Sequence, residues 1–504
     1  MRRLPLVFLL LALTSLAQNS DTDRLITEAL KPSALESNLR HLTDEIGGRV
    51  PGTPAMQRAV EWGRENFKSA GADSVHTEDF KIPVSWSEGP TEMSVSATGT
   101  ALDPKLTSIP KVEFRVRAVS IAWSPALAPT RHVPVLDVGM GTAEDFKRAR
   151  DISGKIILVH SSPLKTWADL MNEYFRAPPI IDAAVQGKAK AIAFISTREH
   201  DLLYRHINAV DGQLDRIPSV LIAREDGDRI ARLLSSGHPV WADLAIPNRI
   251  AGPIPAANVI AEIKGSGKPD EFVVLGAHLD SWELGTGALD NGCDAALVID
   301  ALRAIKASGL HARRTIRFIL FSGEEQGMLG SWAYVTAHRK ELDKAAGVVI
   351  FDSGTGHVSG FSVGGRKDVV PAANPMVAPL KAFDAATLTT DAESGTDHLD
   401  FLLEGVPTFV ANNDEGNYLI NYHASSDTFD KVDLEQLKKQ VAEAAVLTFA
   451  LANNPEHVGP RLTRAQIEQT LRDTHLDRQM KILGMWKDWE TGKRGRTIKL
   501  TIVD

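Results

Sequence analysis

The stretch GAHLDSWELGTGALDNG, Gly276 to Gly292, follows the apolar run Phe272-Val273-Val274-Leu275 and places His278, Asp280 and Asp290 within thirteen residues. So continuous an apolar run reads as a strand buried on both faces. Imidazole and carboxylates strung on glycines just beyond such a strand call for a chemical reason, because buried charge is stable only when paired or bound to metal.

Outward from this stretch the rhythm is regular. A helix from about Asp294 to Ala307 carries Leu297, Leu302 and Ile305 on one face, and a strand follows from Thr315 to Phe321. A helix from about Ser331 to Ala345, strands at Gly347 to Phe351 and Thr408 to Val410, and a long closing helix from about Asp433 to Ala452 complete the pattern. Alternating apolar strands and helices predict an α/β fold with a mostly parallel, mixed sheet and flanking helices.

In open α/β sheets, ligands bind beyond the carboxyl ends of the strands. Here that edge receives His278 and Asp280, then Ser322-Gly323-Glu324-Glu325, then Asp352; Asp290 lies in the loop after the first strand, and His423 precedes the last helix. Two histidines with several carboxylates suit zinc or a related divalent ion. One carboxylate offering an oxygen to each of two ions can bridge a pair about 3.5–4 Å apart. Adjacent glutamates can divide the labour, one on metal and the other moving protons.

The remaining chain reads as supporting structure. Leu35, Leu39, Leu42 and Ile46 recur at helical spacing, and a second helix runs from about Pro54 to Ala70; residues from Val75 to about Val119 suit strands and loops. From about Ala118 a separate unit carries strands at Ile156 to Val159, Ala191 to Ile195 and Ile217 to Ile222, with helical spacing near Ile180 to Gln186 and Glu225 to Leu234. It holds almost no clustered catalytic residue types, so it reads as a non-catalytic module. The expected division is a signal peptide at 1–18, an N-terminal part of the catalytic domain at 19–117, an insert at 118–248 and the catalytic domain with a C-terminal extension at 249–504. Trp486, Trp489 and the final Thr497 to Ile502 suggest an added strand.

Arg2-Arg3, the apolar run Leu4 to Leu13 and Ser15-Leu16-Ala17 form a secretory signal pattern. The expected compartment is therefore secreted or periplasmic, with no membrane span after signal cleavage. The 504 residues are 43% hydrophobic and 24% charged, with net charge −8 and no Lys/Arg-rich block, which argues against nucleic acid as a partner. Cys293 is the single cysteine, so no internal disulfide can form.

The pattern AHLDSW…LDNG…SGEEQGMLGS…FDSG…YHASSDTFDKV resembles the M28 family of co-catalytic zinc peptidases. The arrangement of the whole chain is most similar to its carboxypeptidase Q branch, in which a zinc exopeptidase fold carries an inserted β-rich α/β protease-associated domain. Ser153 to Leu158 and Ile217 to Val220 resemble that insert. The resemblance implies two Zn2+ per chain: His278, Asp290 and Asp352 on one, with bridging Asp290, Glu325 and His423 on the other. It implies Glu324 as catalytic base and Asp280 as the group that holds the His278 ring. It also implies a cis peptide after Asp290, small unblocked peptides as substrates and a homodimer. His398, in Gly395-Thr396-Asp397-His398, and Tyr422 are candidate substrate-facing residues.

Other readings compete. An aminopeptidase of the same family is the nearest. Gly360-Phe361-Ser362-Val363-Gly364 satisfies the G-x-S-x-G pattern of serine hydrolases, which requires a strand before Ser362 and a helix straight after it. Gly365 to Asp368 make a poor helix start. A non-catalytic receptor-like relative would be free to lose ligands, and a single-zinc cyclase-type transferase would not need the full set. All five ligand positions and the base are present.

Overall fold

The computed structural model describes residues 21–98 and 111–497. The expected signal peptide and residues 498–502 of the expected final strand lie outside them. Four parallel strands form the centre of an eight-stranded mixed sheet, in the order Arg314–Phe321, Lys268–His278, Ala345–Ile350, Thr408–Asn413. Ile254–Ile263 and Ser74–Ile82 extend one edge antiparallel; Val358–Ser362 and Thr387–Thr389 extend the other.

The decisive strand is apolar throughout because both of its faces are covered. Val273, Leu275 and Ala277 join the core beneath helices Cys293–Ser308 and Leu434–Asn453, while Phe272 and Val274 pack with Tyr334, Val335 and Phe401 on the other side. Helix Leu434–Asn453 starts where Asp433 accepts the backbone N–H groups of Glu435 and Gln436, satisfying donors that a helix start leaves free.

The insert is a second eight-stranded sheet. Its parallel core is Leu127–Asp137, Ile156–Val159, Ala191–Ile195, Ser219–Ile222. Glu92–Thr98 and Lys111–Val116 also belong to this sheet, through pairing with Val240–Ile246. The unit thus begins near Glu92, ahead of the boundary expected at 118. The reason is physical: those alternating strands fit either sheet locally, and only their distant partner decides. A short ribbon, Ser85–Ser87 against Arg249–Ala251, joins insert to catalytic unit.

The insert's main helix spans Trp167–Gln186, longer than the helical spacing near 180–186. Pro178 and Pro179 lie inside it and mask its first half. Its N-terminal signal was present in the sequence as the Thr166/Asp169 capping box. At the chain's end, Trp486 and Trp489 lie in helix Trp486–Glu490, not in a strand. Their indoles pack with Leu399, Leu402 and Leu403 against the catalytic unit.

Candidate metal centre

The carboxyl ends of the central strands bring His278, Asp290, Glu324, Glu325, Asp352 and His423 to one buried edge. Asp290 stands between the histidines, with Oδ1 3.2 Å from His278 Nε2 and Oδ2 3.2 Å from His423 Nε2. Asp352 Oδ1 lies 3.0 Å from His278 Nε2, and Glu325 Oε2 lies 2.9 Å from His423 Nε2. The ligand atoms of His278, Asp290 and Glu325 fall within 4.8 Å of one another, as do those of His278, Glu324 and Asp352.

Both imidazoles are oriented from behind. His278 Nδ1 donates to the Asp280 carbonyl at 2.9 Å, and His423 Nδ1 donates to the Arg205 carbonyl at 2.9 Å. A carbonyl only accepts, so each Nδ1 carries a proton, and each Nε2 faces carboxylate oxygens with either a proton or a bound cation between them. Either positive charge offsets the carboxylates gathered here. Among the described residues, no Lys or Arg side chain bonds these carboxylates. Asp290 Oδ2 and Glu325 Oε1 are buried without a hydrogen-bond partner, and the donor set of imidazole and carboxylate fits zinc.

Titration directions carry the same message. Burial opposes charge on His278, yet Asp352, Asp280 and Asp290 lift its pKa well above the ordinary value. Burial likewise opposes charge on His423, which Glu325 and Asp290 lift to about 9. Burial raises Glu325 to about 7. Glu324 is raised well above the usual carboxylate range, by burial first and then by Asp352, Glu325 and Asp397. Its carboxylate makes no hydrogen bond to the protein and lines the cleft.

Asp280 acts differently from the expectation. It reaches the His278 ring through its main-chain carbonyl, while its carboxylate stands 3.7 Å from Nδ1. Those carboxylate oxygens instead accept the backbone N–H groups of Glu324 and Glu325, each at 3.3 Å. Asp280 therefore ties the His278 strand to the Glu-Glu pair. The Asp290–Asn291 peptide is cis, as the resemblance implies.

Two residues that the sequence reading passed over hold the loop between the first histidine and Asp290. Buried Arg49 donates to the carbonyls of Leu279 at 2.6 Å, Thr286 at 2.8 Å, Gly287 at 2.8 Å and Gly47 at 3.1 Å. Neighbouring Gly48 must lack a side chain, since a Cβ there would lie 2.4 Å from Glu283 Cα. The Asp427 carboxylate accepts the N–H groups of Ala288, Leu289 and Asp290 at 3.1, 2.7 and 3.2 Å. Asp427 stood within the YHASSDTFDKV pattern without a role; nothing local marked Arg49 beyond its adjacent glycines.

The candidate substrate-facing residues separate. Tyr422 lines the cleft, stacks on the His423 ring at 3.7 Å between centroids and shares a 2.9 Å hydroxyl contact with Tyr174. His398 does not face the cleft. It is buried, its Nε2 meets the Glu393 carbonyl at 3.1 Å, and burial lowers its pKa to about 4. Its neighbour Asp397 lies nearer to the charges of the centre and is pushed up to about 8, chiefly by burial.

The cleft, with the open solvent at its mouth, spans about 1100 Å³. Trp167, Leu170, Met171 and Tyr174 of the insert helix form part of its wall, and Leu483 and Met485 of the C-terminal extension form another. Ser362 is elsewhere in function: its hydroxyl donates to the Asp391 carbonyl at 2.6 Å and bonds no imidazole. The next α-helix begins only at Val370, so the nucleophile-elbow geometry is absent.

Residues 258–448 match the model for Peptidase family M28. Carboxypeptidase Q of Bos taurus is 28% identical over 417 residues, covering 82% of this chain and 84% of that protein. The crystal structure of a Peptidase M28 precursor from Shewanella amazonensis SB2B is 26% identical and superposes with a TM-score of 0.78 over 89% of this chain and 99% of its own. A zinc aminopeptidase from Bacillus subtilis shares the fold, at 20% identity and a TM-score of 0.63 over 85% of this chain and 97% of its own.

Proposed function

We propose that this chain, whose residues 258–448 match Peptidase family M28 and which is similar to carboxypeptidase Q over most of its length, is a secreted two-zinc exopeptidase that hydrolyses small unblocked peptides. The observation that carries the two-ion count is Asp290, which turns one oxygen to each histidine. His278, Asp290 and Asp352 would hold one ion, and Asp290, Glu325 and His423 the other. When bound, such a pair supplies Lewis acidity that polarises the scissile carbonyl and makes water acidic enough to attack near neutral pH.

Glu324 moves the proton. Its unbonded carboxylate faces the cleft, where it takes a proton from the attacking water and returns it to the leaving amine. Asp280 fixes its backbone, and burial sets its affinity for protons. The walls from the insert helix and the C-terminal extension support short substrates with apolar side chains.

A second reading, aminopeptidase polarity, is favoured by one observation. Among the described residues lining the cleft there is no Lys or Arg to receive a free carboxylate, whereas the Glu393 carboxylate lines it without a protein partner. Peptides free or blocked at each end distinguish the two polarities. The mechanism itself is tested with Glu324→Gln, for which kcat should fall by about 10²–10⁴-fold while zinc content by elemental analysis stays at two per chain. Wild-type turnover in that variant, or one zinc per wild-type chain, overturns the reading.

A further inference from the structure

The two metal-facing histidines are held by different parts of the molecule. His278 is oriented by Asp280, two residues away in its own unit. The hydrogen bonds that orient His423 come from the insert, while Tyr422 and Trp282 of its own unit only pack against the ring. Segment 203–206 lies against 423–425 as an antiparallel bridge, Tyr204 to Ala424. Arg205 N–H donates to the His423 carbonyl at 2.8 Å, His423 Nδ1 returns a bond to the Arg205 carbonyl at 2.9 Å, and Ser425 N–H donates to Leu203 at 3.0 Å.

His423 needs this support. Its φ is +58°, a left-handed conformation that is strained for a non-glycine residue and persists only when its surroundings impose it. The flanking Tyr422 is held from the same side, with its carbonyl accepting from Arg198 at 3.2 Å and its hydroxyl meeting Tyr174 at 2.9 Å. The bridging segment is itself anchored: the Arg205 guanidinium is fully buried and reaches Glu88 and Glu283 at 2.6 Å each.

We infer that the insert is a structural part of one metal position, and that Arg205 and Tyr174 are positioning residues for zinc on the His423–Glu325 side alone. The inference rests on the two-zinc reading above. Partners that fix the tautomer and direction of a ligating histidine typically change metal affinity by 10–100-fold.

The test uses the full-length holoprotein and graded chelator, with zinc retained per chain measured after dialysis. Wild type should hold two zincs; if it holds one, the two-zinc reading fails before this inference is reached. In Arg205→Met one zinc should leave at least tenfold more readily, the other should leave as in wild type, and Arg205→Lys should restore part of the difference. Tyr174→Phe, which removes one hydroxyl, should shift the same single zinc severalfold and keeps the test decisive should Arg205→Met misfold. In both variants, the visible spectrum of cobalt-loaded protein should change at one site only. Equal retention of both ions in Tyr174→Phe and in any folded Arg205→Met, or equal loss of both, overturns it.

Discussion

Three backbone N–H groups of the loop at Asp290 converge on one carboxylate, that of Asp427, and among the described residues none of them bonds another acceptor. Truncation would orphan buried donors at about 1–3 kcal/mol each and release the residue that faces both histidines. Asp427→Ala should therefore weaken zinc retention by roughly 10–100-fold, with Asp427→Asn intermediate, in a chelator competition. Unchanged retention in the alanine variant would refute this role. The residues that meet at the strand ends were legible in the sequence because each terminates a strand or lies in a short polar motif. Arg49 was not, since its guanidinium bonds only carbonyls and leaves no pattern of residue types. His398 misled because the strongest chemical letter in its motif is turned into the interior, with neighbouring Asp397 nearer the charges.

Helix Leu434–Asn453 presents a problem of its own. Glu443 is fully buried within it, both carboxylate oxygens lack partners, and burial pushes its pKa to about 8. A folded-state pKa raised above the unfolded value means that the folded protein binds this proton more tightly. The resulting cost is absent below about pH 4.5, grows as pH rises and levels off above about pH 8. Glu443→Met should then raise the melting temperature, with a gain that widens from pH 5 to pH 8.5 and reaches on the order of a few kcal/mol. A gain independent of pH would refute the assignment. Element identity was mostly readable: strands at 156–159 and 191–195 match residue for residue, because buried parallel strands are apolar without interruption. Helix Trp167–Gln186 was half hidden because its prolines contradict helix propensity while tertiary packing overrides them.

At the scale of the whole molecule, removing metal should loosen the edge where the two domains meet. With the ions gone, Asp290, Glu325 and Asp352 face one another with only imidazoles between them. Chelated protein should melt below the zinc-loaded protein, and added zinc should restore the loss; a ligand at a thousand times its Kd contributes about 4 kcal/mol. Calorimetry showing equal melting temperatures would contradict a cation-dependent core. The sheet to which Glu92–Thr98 belongs could not be read locally, since alternation specifies a half-buried strand without naming its partner.

The stalk of the insert has a consequence for folding order. Ser74–Ile82 must pair with Ile254–Ile263 across the entire insert, and such distant closure is slow for an unstructured chain. The ribbon Ser85–Ser87 with Arg249–Ala251 sets the two ends of the insert side by side. Once the insert has collapsed, Ile82 meets Ile254 as though across a short hairpin, and the search for that edge of the catalytic sheet is reduced to a local one.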